Sequence, residues 1–410
     1  MALLSKHRAA FVGISRIRMI PIFLVTFVSL VGFGLLIPLL PFIIARTGVG
    51  AEVITIVLGL YSLAQLLAAP VWGWVSDRWG RKPVLVITSW GLAASYMIIA
   101  YSDSLEMLII SRVFGGIMAA NIGAAQAYMA DITTPATRAK GMGLLGAAFG
   151  LGFIFGPAIG GVLGGNDAAT ADFFLPSVVS AAITVVAALA TQFFLKESVT
   201  PEMLAKRAAA PKIKFTDKIR IGLGRRTLLL LMGCGFLAVT AWAQFETIFA
   251  LWADAKLDYG PRDIGLVLTF LGVVGAIVQG GAIGRLTKKF GERGLCVAAV
   301  IMMGVGFAGL SFAFDLTTTL LACALLSAGS GLFNPSISSL VSQEAAETER
   351  GAVLGAYQSA TSLSRIVGPA FSGVVFASLG AVAPFMVAAG LMIPALLMIL
   401  VRPHPGQTPA

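Results

Sequence analysis

The sequence predicts an all-α membrane protein with twelve transmembrane helices in two pseudo-symmetric six-helix bundles. Three observations carry that prediction. The first is composition. Hydrophobic residues make up 58% of the chain and charged ones 12%, against roughly 25% charged in a soluble globular protein, and mean hydropathy is +0.91. The second is that the apolar residues gather into twelve runs of about the length that crosses a bilayer. They lie at 19–45, 53–75, 83–101, 105–130, 139–165 and 173–195, then at 227–253, 263–283, 294–314, 317–342, 351–379 and 382–401. The third is a polar loop that occurs twice. Gly73-Trp74-Val75-Ser76-Asp77-Arg78-Trp79-Gly80-Arg81-Lys82 separates the second run from the third. Gly284-Arg285-Leu286-Thr287-Lys288-Lys289-Phe290-Gly291-Glu292-Arg293 separates the eighth from the ninth, 211 positions later.

Each element can be justified in order. The first run follows Lys6, Arg8, Arg16 and Arg18 and is 27 residues long. It is too long for the apolar core of a cleaved signal sequence and lacks a small-residue cleavage site, so it is expected to stay as the first span. Five more runs complete an N-terminal bundle, 1–195. Segment 196–226 holds nine Lys and Arg and two prolines with little apolar periodicity. It reads as a cytoplasmic linker, either a disordered strap or in part a short amphipathic helix on the inner leaflet. Residues 227–410 form the C-terminal bundle.

The two halves match beyond the loop. Arg138 precedes the proline of Gly156-Pro157 by 19 residues, and Arg350 precedes that of Gly368-Pro369 by the same 19. Asp103 opens the fourth span and Asp315 the tenth; Phe174 and Phe385 begin the sixth and twelfth. Six spans per half is an even number, so both halves enter from the same side and are related by an axis along the membrane normal. Two such bundles leave a cleft near the bilayer midplane, and rocking one against the other opens it to alternate sides.

Charge sets the orientation. Of 29 Lys and Arg, 24 lie on the side holding both termini and the Asp77 loop. Arg46, Lys256 and Arg262 lie opposite, and Arg112 and Arg365 fall within spans. This positive-inside bias predicts a multi-pass protein of the cytoplasmic (inner) membrane with both termini in the cytoplasm. The net charge of +10 therefore records topology and does not point to nucleic acid.

Several chemistries find no support. Cys234, Cys296 and Cys323 lie in apolar runs with no pairing or zinc spacing. His7 and His404 are the only histidines and both are terminal, so neither a His-based triad nor a metal cluster is expected. No Gly-Lys dipeptide occurs, which removes the phosphate-cradling loop of ATP-driven pumps. No cofactor and no enzymatic activity are expected. Energy would come from an ion gradient or from the substrate's own.

Charge inside the spans is the sharper signal. Glu246 alone among the acids sits well inside a span, about six residues or roughly 9 Å outward of its centre, while Asp131 stands at a cytoplasmic span end. Arg112 lies within the fourth span and Arg365 within the eleventh. Each would cost roughly 2.5–3.5 kcal/mol or more facing lipid, so they should face the cleft or one another. The repeat mates of Arg112, Arg365 and Glu246 are not charged, so the scaffold is symmetric and the charges are not. Arg365 extends a stripe with Gln358, Thr361 and Ser362 on one helix face. These residues, Glu246, Arg112, Arg365 and Asp131, are the candidates for proton coupling, with Glu246 paired to Arg112 or to Arg365 in one facing state. Desolvation favours a protonated carboxyl and a nearby cation favours the ionised one, so proton affinity can follow conformation.

The loop reads as a gate, in which Asp77 at one helix end pairs with Arg81 at the start of the next. An exposed ion pair is worth roughly 0–1 kcal/mol, a size suited to a latch that opens every cycle. In the fifth span, Gly146, Gly150, Gly152, Gly156, Gly160, Gly161, Gly164 and Gly165 permit close helix approach, and Pro157 invites a bend.

These motifs carry a family resemblance. Gly73–Lys82 is similar to the loop signature of the major facilitator superfamily. Ser111-Arg112-Val113-Phe114-Gly115-Gly116, with Ala127-Tyr128-Met129-Ala130-Asp131-Ile132-Thr133, resembles the fourth span of its twelve-span tetracycline and multidrug proton antiporters. Gly152-Phe153-Ile154-Phe155-Gly156-Pro157-Ala158-Ile159-Gly160-Gly161 is similar to their antiporter signature, and Gly32–Pro41 also resembles their first span. The resemblance covers the whole chain. It implies the major facilitator fold and a cytoplasmic gate of Gly73, Asp77, Arg78, Gly80, Arg81 and Lys82. It also implies an antiporter motif of Gly152, Gly156, Pro157, Gly160 and Gly161. Tetracycline antiporters place carboxylates in the first and third spans, where this chain has Ser29 and Ser95, so anions for a metal-chelated tetracycline are absent there. Spans 1, 4, 7 and 10 are implied to be central, with Ser29, Phe33, Asn121, Gln126, Trp242, Gln244 and Asn334 as cavity candidates beside Gln358 of the eleventh. The expected function is secondary active transport: proton-coupled efflux of a small amphiphilic organic compound by a monomer. The alternative is a metabolite, sugar or peptide transporter working by uniport or symport.

Overall fold

The computed structural model describes residues 2–199, 225–345 and 349–401. The expected strap or amphipathic helix of the linker lies almost wholly outside them. The first bundle contains α1 (Ala2–Leu36), α2 (Leu40–Ala45), α3 (Ala51–Trp79), α4 (Arg81–Ala100), α5 (Leu105–Ala119), α6 (Ile122–Ile132), α7 (Pro135–Gly164) and α8 (Phe174–Phe194). The second contains α9 (Arg226–Leu257), α10 (Pro261–Ile277), α11 (Ile283–Phe312), α12 (Leu316–Gln343), α13 (Arg350–Leu379) and α14 (Ala383–Val401), with a π-helical turn, Val278–Ala282, between α10 and α11. The described residues contain no strand.

Two of the twelve runs are not single helices. The first breaks at 37–39, where Pro38 has no N–H to donate and Pro41 lies in the first turn of α2. The fourth turns at Ala120 and Asn121, between α5 and α6. In the opposite sense, the eighth and ninth runs form one helical stretch, Pro261–Phe312, of 52 residues. A straight helix of that size would be about 78 Å long, far more than a bilayer core of about 30 Å. Gly291 resolves this: its φ of 69° and ψ of 164° break the helix and return the chain across the membrane. Gly80, its repeat mate, has φ 105° and ψ 164°. The eleven long apolar stretches thus make twelve crossings, and both copies of the loop turn on a glycine in a conformation that other residues resist.

Within each bundle, glycine brings corresponding helices together. Gly152, Gly156 and Gly160 of α7 lie against Leu30, Gly34 and Leu35 of α1, where any Cβ would meet α1 main chain or Cβ atoms. Gly368 of α13 lies in the same way against Thr240, Ala243 and Gln244 of α9. Between bundles, α7 packs on α10 and α3 on α13. Gly161 meets Pro261 and Gly265, Gly272 meets Phe153 and Ile154, Gly373 meets Ala51 and Thr55, and Gly59 meets Pro369. All these contacts lie between the midplane and the end of the molecule away from the Asp77 loop. Toward the loop, Gly73, Gly143, Gly146, Gly150 and Gly355 of these helices, with Gly280 and Gly281 of the π-helical turn that follows α10, have no such neighbour within 4 Å. The bundles are therefore joined on the far face and parted on the loop face.

Candidate functional site

Helix α9 is central to the second bundle. From 230 to 254 none of its residues is exposed, so it has no broad side given to lipid, and what surface it shows belongs to half-buried residues. Between 241 and 250 only Trp242 and Glu246 are of this kind, one turn apart on one face. Trp242 Nε1–H donates to Glu246 Oε1 at 2.7 Å. Arg365 of α13 donates from Nη1 to Glu246 Oε2 at 3.0 Å, with side-chain exposures of 48% for Arg365 and 30% for Glu246. Both carboxylate oxygens are thus engaged, yet the pair stays partly exposed. The close seating of Gly368 against Thr240–Gln244 holds α13 near enough to make it. Of the two arginines that could have partnered Glu246, the structure selects Arg365.

Arg112 stands apart in the first bundle. It is 3% exposed and its guanidinium lies over the Tyr61 ring, 5.2 Å from the centroid. Its Nε and Nη2 have no hydrogen-bond acceptor, and the same holds for the hydroxyls of Ser95 and Tyr96 on α4. Phe33 stacks on Tyr61 with centroids 5.5 Å apart and meets Phe153 edge-on.

Asp131 joins neither group; it belongs with the loop. Arg81 is the hub there. Its Nη2 lies 2.7 Å from Asp77 Oδ1, its Nε 3.2 Å from Asp131 Oδ2, and its Nη1 donates to Ser76 Oγ at 2.8 Å. Side-chain exposures of 5% for Arg81 and 8% for Asp131 against 56% for Asp77 separate a buried pair from a surface one. Arg78 stacks on Trp74, 4.5 Å from the centroid. Glu197, just past α8, accepts from the backbone N–H of Arg81 at 2.9 Å and of Lys82 at 3.1 Å, capping α4 from 115 residues away. Sequence reasoning missed Glu197, because no local pattern links an acid after the sixth span to the start of the third.

The cavity candidates divide. Phe33, Trp242, Ser29 and Asn121 are half-buried, and Asn121 Nδ2 donates to Thr88 Oγ1 at 2.8 Å. Gln126, Asn334 and Gln358 are exposed. Gln244 is fully enclosed, and its amide nitrogen and oxygen have no partner, so it lines no open space. In the stripe on α13, Thr361 turns inward and donates to its own helix at Tyr357 O.

Comparison with known proteins agrees with this architecture. The sequence pattern of the Major Facilitator Superfamily matches residues 22–360 and 231–410. The chain is 30% identical over 374 residues to multidrug resistance protein 2 of Bacillus subtilis (strain 168), covering 90% of each. It is 32% identical over 355 residues to the class G tetracycline resistance protein of Vibrio anguillarum, covering 85% of this chain and 88% of that protein. The solved nucleoside transporter NupG superimposes with a TM-score of 0.74 at 15% identity, over 94% of this chain and 98% of that one. With its duplicated bundles, its twice-used glycine loop and a sequence match that spans almost the whole chain, this protein belongs to the Major Facilitator Superfamily.

Proposed function

We propose that the protein is a proton-coupled antiporter that exports a small amphiphilic organic compound. In this reading both termini are cytoplasmic, the working unit is a monomer, and 1–195 and 227–410 rock about the cleft, joined by 196–226. Relatives named for multidrug and tetracycline resistance, about 30% identical over most of their length, support export. The observation that carries the coupling is the Glu246–Arg365 pair, a carboxylate and a cation from two helices of one bundle that share interior space.

The chemistry follows from the geometry. In the conformation open on the loop face, ionised Glu246 is held by Arg365 and Trp242. Rocking to the other face changes the surroundings of the pair. Protonation of Glu246 removes the charge that Arg365 neutralises, so the ion-paired and proton-loaded forms belong to different facing states, and substrate exchange alternates with them. The half-exposed Trp242 offers an aromatic face beside the carboxylate, suited to an amphiphile.

Proteoliposome transport under an imposed pH gradient tests this. Glu246→Gln keeps the shape and one acceptor oxygen, enough for Trp242 or Arg365, but removes the titrating charge. It is expected to abolish gradient-driven accumulation while leaving downhill exchange. Full accumulation by this variant would refute the assignment.

A further inference from the structure

The two oxygens of Glu246 have unlike partners. Oε1 accepts from Trp242 Nε1–H at 2.7 Å, a donor one turn back on the same helix. Oε2 accepts from Arg365 Nη1 at 3.0 Å, a donor carried by a different helix, α13. The first partner travels with the carboxylate whenever α9 moves, while the second depends on the approach of two helices. Trp242 is also held from behind. Its ring centroid lies 5.5 Å from that of Phe245, and Phe245, itself 1% exposed, packs on Phe249 at 5.0 Å and Phe385 at 6.4 Å. A donor on a packed ring in a fixed helical register is preorganised.

That asymmetry bears on where a proton can go. A protonated carboxyl has one oxygen that donates and one carbonyl oxygen that accepts, and an indole N–H only donates. With the proton on Oε2, the carbonyl oxygen stays on the indole and Arg365 gives up its bond. With the proton on Oε1, the indole would face a hydroxyl oxygen and lose its better acceptor. Arg365, whose side chain is 48% exposed, can turn to water, whereas a part-buried indole N–H of fixed direction would be stranded. No other charge competes among the described residues. Of the helices packed on α9, α2, α12 and α14 contain no charged residue, and those of α3 (Glu52, Asp77, Arg78) and α10 (Arg262, Asp263) stand at the ends. On α13, Tyr357 lies at Gly235, three turns from Glu246, which leaves Arg365 as the ionic neighbour.

We propose that Trp242 is a positioning residue that directs the coupling proton to Oε2 of Glu246, so that proton and Arg365 exchange at one oxygen while the indole keeps the other throughout the cycle. This rests on the proton-coupled reading and deepens it. One proton from water adds to a lone pair of Oε2, the bond from Arg365 Nη1–H breaks, and Arg365 retains its own proton. The charge of the pair goes from zero to +1, and no electrons are transferred. Loading thus unties α13 from α9 without releasing the carboxyl from its own helix.

Infrared difference spectroscopy of the full chain in liposomes, titrated with acid, tests this. It reads the carboxyl C=O band of protonated Glu246, identified by its loss in Glu246→Gln. The band should lie at the low wavenumber of a carbonyl that accepts a hydrogen bond. Trp242→Phe should move it up, and Arg365→Gln should leave it in place. Trp242→Phe should also lower the proton concentration for half-protonation about tenfold, because the indole bond is stronger to an ionised oxygen than to a neutral one. Trp242→Gln, which retains an N–H donor and drops the ring, should restore both. A band that Trp242→Phe leaves in place, or that Arg365→Gln moves instead, overturns the proposal. So does a titration shifted by Trp242→Gln and not by Trp242→Phe, which would make the ring and not its N–H the working part. A free-carbonyl band in the unaltered chain overturns it even where the Trp242 variants fail to fold. Absence of any band lost in Glu246→Gln overturns this proposal and the coupling assignment together. The expected spectra without pH-driven transport defeat the antiport reading alone.

Discussion

Arg81→Met separates two ion pairs that share one guanidinium. By distance the Asp77 pair is the closer, 2.7 Å against 3.2 Å for Asp131. By burial the order reverses, since Asp77 is 56% exposed and Asp131 only 8%. A surface pair contributes about 0–1 kcal/mol, whereas removing one member of a buried pair leaves a stranded charge and costs about 3–5 kcal/mol. Asp131 keeps a hydrogen bond from Ser198 Oγ at 3.3 Å and has a further partner, which places Arg81→Met at the low end, about 3 kcal/mol. Asp77→Asn should cost less than about 1 kcal/mol. Reversible unfolding in mixed micelles gives both values, and a double-mutant cycle of Arg81→Met with Asp131→Asn isolates the coupling. The double variant should be more stable than the sum of the single losses allows. Strict additivity, or an Asp77→Asn loss equal to that of Arg81→Met, would refute the argument that burial outranks distance here.

Other expectations can be checked independently. Gly265→Val drives a branched side chain into Pro157 and Gly161, so transport should fall more than about tenfold through overpacking of the bundle contact. Gly143→Val, which meets open space in this facing state, should leave thermal stability unchanged where Gly265→Val lowers it, and equal losses of stability would contradict the assigned facing state. Glu197→Ala removes the cap of α4 and should cost about 1 kcal/mol, read by unfolding and by faster amide exchange at Arg81 and Lys82. Asp315 caps α12 by accepting from the Thr318 N–H at 2.8 Å and from its hydroxyl, which hold its carboxyl below the usual range. Its contribution is thus present above the unfolded-state pKa and disappears as pH falls through the lower folded-state value. Asp315→Ala should therefore destabilise at neutral pH and make no difference in strong acid, as followed by thermal unfolding across pH.

Much of this protein is one-dimensional information. Apolar run length set the number of crossings because lipid offers no partner to an unsatisfied backbone, and the 211-residue echo revealed the duplication because both loops need a glycine at the same turn, Gly80 and Gly291. Glu246 stood out for a similar reason, as an acid in lipid-spanning sequence is rare by cost. Partnership was another matter. Arg112 and Arg365 are equally plausible mates for Glu246 along the chain. Only the approach of α13 to α9 at Gly368 chose between them, and it left Arg112 alone beneath Tyr61. Asp131 reads as a span-end acid, and Glu197 as one more charge before a linker, until folding brings both to Arg81 and Lys82. The facing state is likewise invisible in the residues, since the same glycines serve either face. Which set is pressed together depends on how two rigid bundles tilt, a choice made by contacts distant in sequence and not by any local preference.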